Sequence, residues 1–473
     1  MRRAWLSLLA ILLFAAACAG ERPSFEDGAA REVPSDADGE VAAADPIRVR
    51  LAVPDGWSLD PAEASPASVT NRVLADLLYE GLPILADNWF VSDDRTVWTF
   101  VLPAGLVDGE GVVVTARDVK HSLERVAARG PADQSALSLM AITGWHERMT
   151  GAAGGVAGIS APDASTLVIR LDAPFEPLID VLASPAFGVT GTGDNGLLRT
   201  TGAYRRTDDP ALLVARDDGA AVAEIELVTH PDGPGGALGA GDADWAVLAD
   251  GTSSVGLDAD IVRQPLWLQL ALVARHADRA ERLGVLGALE PLLLAGEVPG
   301  LTARLAPAAS ESGTESTSVA IDVPRGELQA LARLAADQFE AAGATVEIVA
   351  SDPTVFAARV STGEATLFPI VLASGADGSL GVLQLATPGG ADDAFGPESE
   401  ARAALAAAIA AESDPAQRAL FIEALEQALI EDGLLLPIGR YEVRVAIGRR
   451  LDGLRHRADG TLDLSRVALT AEG

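Results

Sequence analysis

Few residues in this chain have the type and spacing that covalent chemistry needs. The five histidines (His121, His146, His230, His276 and His456) are scattered with no pair at ligand spacing, so no histidine metal centre is expected. The run Gly191-Thr192-Gly193-Asp194-Asn195-Gly196 spells a dinucleotide fingerprint. That fingerprint works only between a strand and a helix, where the helix N-terminus meets a pyrophosphate. Here Thr201-Gly202-Ala203-Tyr204 opens a new element almost at once. Asp242 and Asp244 lack the downstream glutamate of a calcium loop. There is no Gly-x-Ser-x-Gly elbow for a serine nucleophile, and no acidic pair stands out as a glycosidase pair. The expectation is a chain with no catalytic group, no cofactor and no metal.

Composition narrows the class further. The chain has 473 residues, more than one average domain, and 49% of them are hydrophobic. Its 35 basic and 68 acidic residues give a net charge of −33. Such a surface repels phosphate backbones, and no basic patch offsets it, so no nucleic-acid partner is expected. Lys120 is the one lysine, and Cys18 is the one cysteine. An intrachain disulfide and a cysteine zinc site are therefore both excluded.

The elements read as alternating α and β from Pro46 onward. Ile47–Val53 alternates like a strand, and Val69–Tyr79 carries an apolar helical face with Gly81 as its stop. Thr96–Leu102 and Thr166–Leu171 read as strands, and Thr115 as the cap of a helix bearing Val119, Leu123 and Val126. Ser318–Val323, a helix faced by Leu328, Leu331, Ala335 and Phe339, and Thr345–Val349 form a β-α-β unit. Asp414-Pro415 opens a last long helix, Gly433 ends it, and Leu434–Ile438 returns as a strand. Ala152–Gly158 and Ala306–Ser318 read as loops or insertions.

The N-terminus reads as an address. Arg2 and Arg3 precede an apolar stretch from Ala4 to Ala17, too short to span a bilayer comfortably, as in a secretory signal. Ala15-Ala16-Ala17-Cys18 resembles the lipobox of bacterial lipoproteins, with Ala15 where leucine is usual. The resemblance implies cleavage after residue 17 and lipidation of Cys18; two acyl chains suffice for stable anchoring. Between Glu21 and Asp45 lie eight acids and two arginines with no apolar period, the composition of a flexible tether.

A second resemblance covers the body. Leu59-Asp60-Pro61, Tyr79-Glu80-Gly81-Leu82, Pro83–Asp94, Trp98-Thr99-Phe100, Val107-Asp108-Gly109, Thr115–Arg125, Pro174-Phe175 and Thr201–Tyr204 fall in the order seen in the family 5 extracellular solute-binding proteins, the oligopeptide-, dipeptide- and nickel-type receptors of ABC importers. The match is strongest over 59–205, moderate over 320–455 and weak over 206–319. It implies an α/β, two-lobed periplasmic-binding-protein-like fold (type II, cluster C) with an extra subdomain on the first lobe. The implied organisation is a signal peptide (1–17), a lipidated acidic tether (18–45), lobe I (46–257, subdomain about 71–196), lobe II (258–436) and a return to lobe I (437–473). It further implies a monomer outside the cytoplasm, anchored to the cell membrane, that closes on a peptide or small-molecule ligand and passes it to a permease and its ATPase. The family's ammonium-binding aspartate corresponds to Asp377, in Ser374-Gly375-Ala376-Asp377-Gly378, without its usual aromatic neighbours. Trp267 falls where the inter-lobe strand offers a ring to the ligand, and Trp57 falls on a loop bordering the cleft. A degenerate receptor serving as a surface sensing or interaction lipoprotein is the alternative.

Overall fold

The computed structural model describes residues 47–64, 68–130, 133–192, 197–217, 219–249, 252–253, 256–276, 278–296, 298, 300–303, 318–326, 328–373, 399–457 and 460–470. Cys18, Asp377 and most of the 306–318 insertion lie outside these residues.

One nine-stranded sheet runs through the molecule. Its order is Leu367–Ala373, Ala259–Ala274, Leu435–Gly448, Trp245–Leu248, Arg48–Ala52, Glu224–Val228, Leu212–Ala215 and Tyr204–Arg206, with Leu301–Ala303 pairing beside Leu435–Gly448. Arg48–Ala52 is parallel to both of its neighbours, and the other pairs in this sheet are antiparallel. The parallel strands are covered on both faces, as parallel sheets require. Val49, Leu51 and Ile225 enter the large core, while Ala52, Ala246 and Leu248 pack with Ala237 and Leu238 of the helix Gly233–Gly239.

The second lobe contains the expected β-α-β unit. Ser318–Pro324 and Thr345–Ser351 are parallel, joined by the helix Leu328–Ala341. Leu331, Ala335 and Phe339 are buried from that helix against Val319, Ile321 and Val323, in one cluster with Leu270 and Leu272 of the long strand Ala259–Ala274. Gly343 caps the helix at φ +92° and Gly433 ends Pro415–Glu431 at φ +68°, the left-handed turn that glycine adopts without a Cβ penalty.

The subdomain is a four-stranded antiparallel sheet in the order Asn88–Val91, Val97–Val101, Thr166–Arg170, Ile159–Ser160. Thr115 caps the adjoining helix Ala116–Ala127: its N–H and hydroxyl both donate to Asp118 Oδ2, at 2.8 and 2.6 Å. The outer strand Asn88–Val91 is exposed throughout, and Phe90 is 62% accessible.

Two sequence expectations change. Gly81 is not a left-handed helix stop: it has φ −73° and precedes the short helix Leu82–Leu85. Glycine is needed there because a Cβ would collide with the carbonyl of Leu182. The return strand is also far longer than Leu434–Ile438, running Leu435–Gly448. Gly202 of the Thr201–Tyr204 motif has a similar reason: a Cβ there would lie 2.6 Å from the Leu78 carbonyl carbon, whose oxygen accepts the Gly202 N–H at 2.8 Å.

Candidate functional site

The register of the sheet locates the site. Arg48–Ala52, Glu224–Val228 and Trp245–Leu248 share one direction, so Ala52, Val228 and Leu248 form one carboxyl edge. Leu248 is opposite Arg444, and Arg444 is opposite Arg263. Two residues further on, at Pro265 opposite Glu442, the ladder between the long strands breaks, resuming at Gln269 opposite Arg440. Beyond the break Ala259–Ala274 pairs on its other side with the second-lobe strand Leu367–Ala373. The carboxyl edge of the first lobe thus faces the interruption through which the sheet passes into the second. In open α/β sheets a ligand crevice lies outside that edge.

Polar contacts hold both sides of the break. Arg444 Nη2 donates to the carbonyls of Ala249 and Thr252 at 3.0 and 2.9 Å, fixing the loop after Trp245–Leu248. Gln269 Nε2 donates to Glu426 Oε1 at 3.0 Å in a buried pair, tying the strand to the helix Pro415–Glu431. A buried amide–carboxylate bond left half-made costs more than it gives when made, so the pair fixes strand against helix. On the first-lobe side, Arg125 Nη2 donates to both oxygens of Asp60, at 2.6 and 2.5 Å, under the loop that follows Arg48–Ala52.

A separate cavity of about 650 Å³ lies within the first lobe and the C-terminal return. It is lined in part by Asp76, Tyr79, Glu80, Tyr204, Arg216 and Arg457, and by no residue between 222 and 456. Its cations are committed to the fold: Arg216 donates to the carbonyls of Thr201, Gly202, Val107 and Asp108, and Arg457 to Asp76 at 3.0 Å. Burial pushes the Glu80 carboxyl up, with Arg216 opposing. This cavity is not the inter-lobe crevice.

Known proteins supply the next observation. The sequence profile described as bacterial extracellular solute-binding proteins, family 5 Middle, matches residues 81–254. Over those residues the chain is similar to the family 5 extracellular solute-binding proteins. These are solute-binding receptors, not enzymes. The periplasmic murein peptide-binding protein MppA of Escherichia coli is 32% identical to this chain over 179 residues, covering 33% of this chain and 31% of that protein. A probable peptide ABC transporter periplasmic-binding protein of Sinorhizobium fredii is 30% identical over 180 residues, 36% of this chain and 30% of that one. The chain thus spans about a third of the length of the curated relatives it matches.

Solved structures show that the family 5 fold extends across the body. The unliganded open form of MppA matches with a TM-score of 0.64 at 18% identity, over 90% of this chain and 98% of that one. The clavulanic acid biosynthesis oligopeptide binding protein 2 matches with a TM-score of 0.66 at 19% identity, over 90% and 95%. The expected two-lobed α/β architecture is what these neighbours share.

The residues selected from the sequence distribute as follows. Trp57 stands on the loop leaving the carboxyl edge, half-buried against the large core. Trp267 lies in Ala259–Ala274 within the ladder break, and its side chain is outside the described residues. Asp377 is not described, but the last described residue before it, Ala373, pairs with Leu268 at the same break. Asp244 is no calcium ligand: its carboxylate accepts from Arg50 and Arg450. Gly191-Thr192 pairs with Leu198-Arg199 in a two-residue ladder, not with a nucleotide-binding helix. Among the described residues no group of three or more His, Cys, Asp or Glu could hold a metal ion. Sequence reasoning missed the polar supports Arg444, Gln269, Glu426 and Arg206. None falls in a recognisable motif, and their partners are up to 195 residues away.

Proposed function

We propose that this chain is the extracytoplasmic substrate-binding protein of a peptide ABC importer, anchored through lipid on Cys18. It captures oligopeptides, or a similar small polar solute, and delivers them to a membrane permease driven by its ATPase. The observation that carries the reading is the facing of the carboxyl edge onto the ladder break. Two continuous strands whose ladder shifts register at Pro265/Gln269 and again at Leu270/Ala271 let the lobes approach by changing a few backbone torsions, and closure around a solute sheds its water. The peptide-binding relatives favour peptides among solutes. We place lobe I at 46–257 with its subdomain at about 71–196, lobe II at 258–436, the return at 437–473, and the working unit as a monomer.

A ligand that binds the folded state alone raises stability by about 2.7 kcal/mol at a hundredfold excess over Kd. Screening di- to pentapeptides by differential scanning calorimetry is expected to find a subset that raises Tm by several degrees. No shift from any peptide would favour the alternative, a degenerate receptor acting as a surface sensing or interaction lipoprotein. That alternative draws support from Ser374 and Gly378, which stand around Asp377 where the family has aromatics. For the anchor, Cys18→Ser is expected to move the protein from the membrane fraction of an expressing bacterium to the soluble fraction. Continued membrane retention of that variant would dispose of lipidation at this position.

A further inference from the structure

The loop that leaves the first strand is fastened at three consecutive residues. The Ser58 N–H donates to Asn71 Oδ1 at 3.1 Å. The Leu59 carbonyl accepts from the Tyr79 hydroxyl at 2.8 Å and from Arg206 Nη2 at 3.1 Å. The Asp60 carboxylate takes the bidentate contact from Arg125 and accepts the Ala62 N–H at 2.9 Å. These anchors come from the helix Val69–Leu78 and its cap Tyr79, the helix Ala116–Ala127, and the strand Tyr204–Arg206. Trp57 stands directly before them, and its N–H donates to Pro54 O at 3.3 Å.

The Leu59 contact is a closed triangle. Arg206 Nη2 also donates to the Tyr79 hydroxyl, at 2.8 Å, so that hydroxyl accepts from arginine while donating to the carbonyl. Tyr79 is buried, and burial pushes its phenol up to about 12, so it keeps its proton through the physiological range. A carbonyl oxygen has two lone pairs. Both are taken here, so Leu59 offers the crevice no acceptor. What the triangle supplies is placement.

We propose that Tyr79 and Arg206 are positioning residues of the solute crevice: by fixing the Leu59 carbonyl they hold the preceding turn, Pro54 to Trp57, at the carboxyl edge where a closing solute meets it. Neither residue touches the solute. The proposal rests on the receptor reading given above, and extends it to residues that lie behind the crevice.

The test uses the mature chain, first without ligand. Tyr79→Phe and Arg206→Met are each expected to speed hydrogen exchange at the Ser58 and Asp60 amides about tenfold, with other first-lobe amides unchanged. Because the triangle acts as a unit, the double variant should be no faster than the quicker single. Tyr204→Phe, which removes a buried bond to Val222 O at 2.9 Å elsewhere in the lobe, should leave both amides alone. Loop exchange that stays at the wild-type rate, or that rises in step with the whole lobe, overturns the proposal. In a second arm a tripeptide library is the probe, with capture read by native mass spectrometry. Both variants are expected to weaken capture five- to fiftyfold and Arg206→Lys to recover part of it; undiminished capture also overturns the proposal. A wild-type protein that captures nothing strikes the peptide reading instead, and the exchange result then decides the positioning claim alone.

Discussion

Replacing Asp244 with alanine is expected to lower the stability of the body by about 3 kcal/mol and its Tm by about 3–4 °C, with peptide affinity unchanged. Asp244 is 1% exposed, and from the position before the strand Trp245–Leu248 its carboxylate joins the strand Arg48–Ala52 to the turn at Arg450. It accepts the Arg50 N–H at 2.8 Å, Arg50 Nε and Nη2 at 3.2 and 2.9 Å, and Arg450 Nε and Nη2 at 2.9 and 2.7 Å. Its own backbone carbonyl accepts the Gly448 N–H at 2.8 Å. Removing it leaves two guanidiniums facing each other without a counter-charge. The lower end of the usual range applies because Arg450 can turn into water. Burial alone would push this carboxyl up, but the hydrogen bonds from Arg450 and Arg50 outweigh burial and hold it below the usual carboxylate range. A depressed folded pKa gives stability that is complete above the unfolded value of about 3.9 and lost as pH falls through the folded one. Calorimetry should therefore show the full wild-type-to-variant gap at pH 7 and a narrowing gap below about pH 4. A gap of the same size at every pH would mean that the charge is not what holds these strands. Binding should be spared because Asp244 lies at the opposite end of the strands from the carboxyl edge.

The second large effect is on affinity. If Asp377 receives a ligand ammonium group, Asp377→Asn should weaken binding by about 30- to 5,000-fold, since truncating one partner of a desolvated charge pair costs about 2–5 kcal/mol. The peptide with the largest thermal shift is the probe, with affinity read by titration calorimetry. N-acetylating that peptide removes the other partner. The acetylated peptide and the Asp377→Asn variant together should lose little more than either alone, the signature of a direct pair. Equal affinity of wild type and Asp377→Asn for the free peptide would remove this residue from the site. Trp267→Ala should cost about tenfold or more if its ring stacks on the solute.

The sequence was most legible where a single segment carried its own signal. The β-α-β unit at 318–351 could be read because Leu331, Ala335 and Phe339 repeat at helical spacing between two short apolar runs. The helix after Thr115 could be read from its cap. The strand Ala259–Ala274 could not, although its 16 residues join the lobes. It contains Pro265, is exposed from Asp260 to Arg263 before the break and is buried on both faces after it, so no one period describes it. Leu435–Gly448 was cut short for the same reason: its first five residues are buried like a core strand, and Arg440–Arg444 after them are less buried and carry three charges. The crevice was legible only in part. Trp57 and the Leu59-Asp60-Pro61 signature marked the right loop. That Tyr79 and Arg206 meet at the Leu59 carbonyl is a fact of tertiary packing across 147 residues, and no local pattern announces it.

The exposed strand Asn88–Val91 carries a consequence for how the protein behaves in a tube. In its ladder Ser92 N–H donates to Val97 O, and Phe90 is opposite Thr99, so the amide and carbonyl groups of Trp89 and Val91 point away from the sheet. The segment is uncharged and aromatic, with no lysine or proline to blunt it, and such an edge invites another strand to add on. What opposes that is the net charge of −33 spread over each molecule. This repulsion is felt over about 30 Å at 0.01 M ionic strength but only about 3 Å at 1 M. Dilute buffers should therefore preserve dispersed samples, and brine or ammonium sulfate should drive them toward fibrils or gels that nucleate at this border.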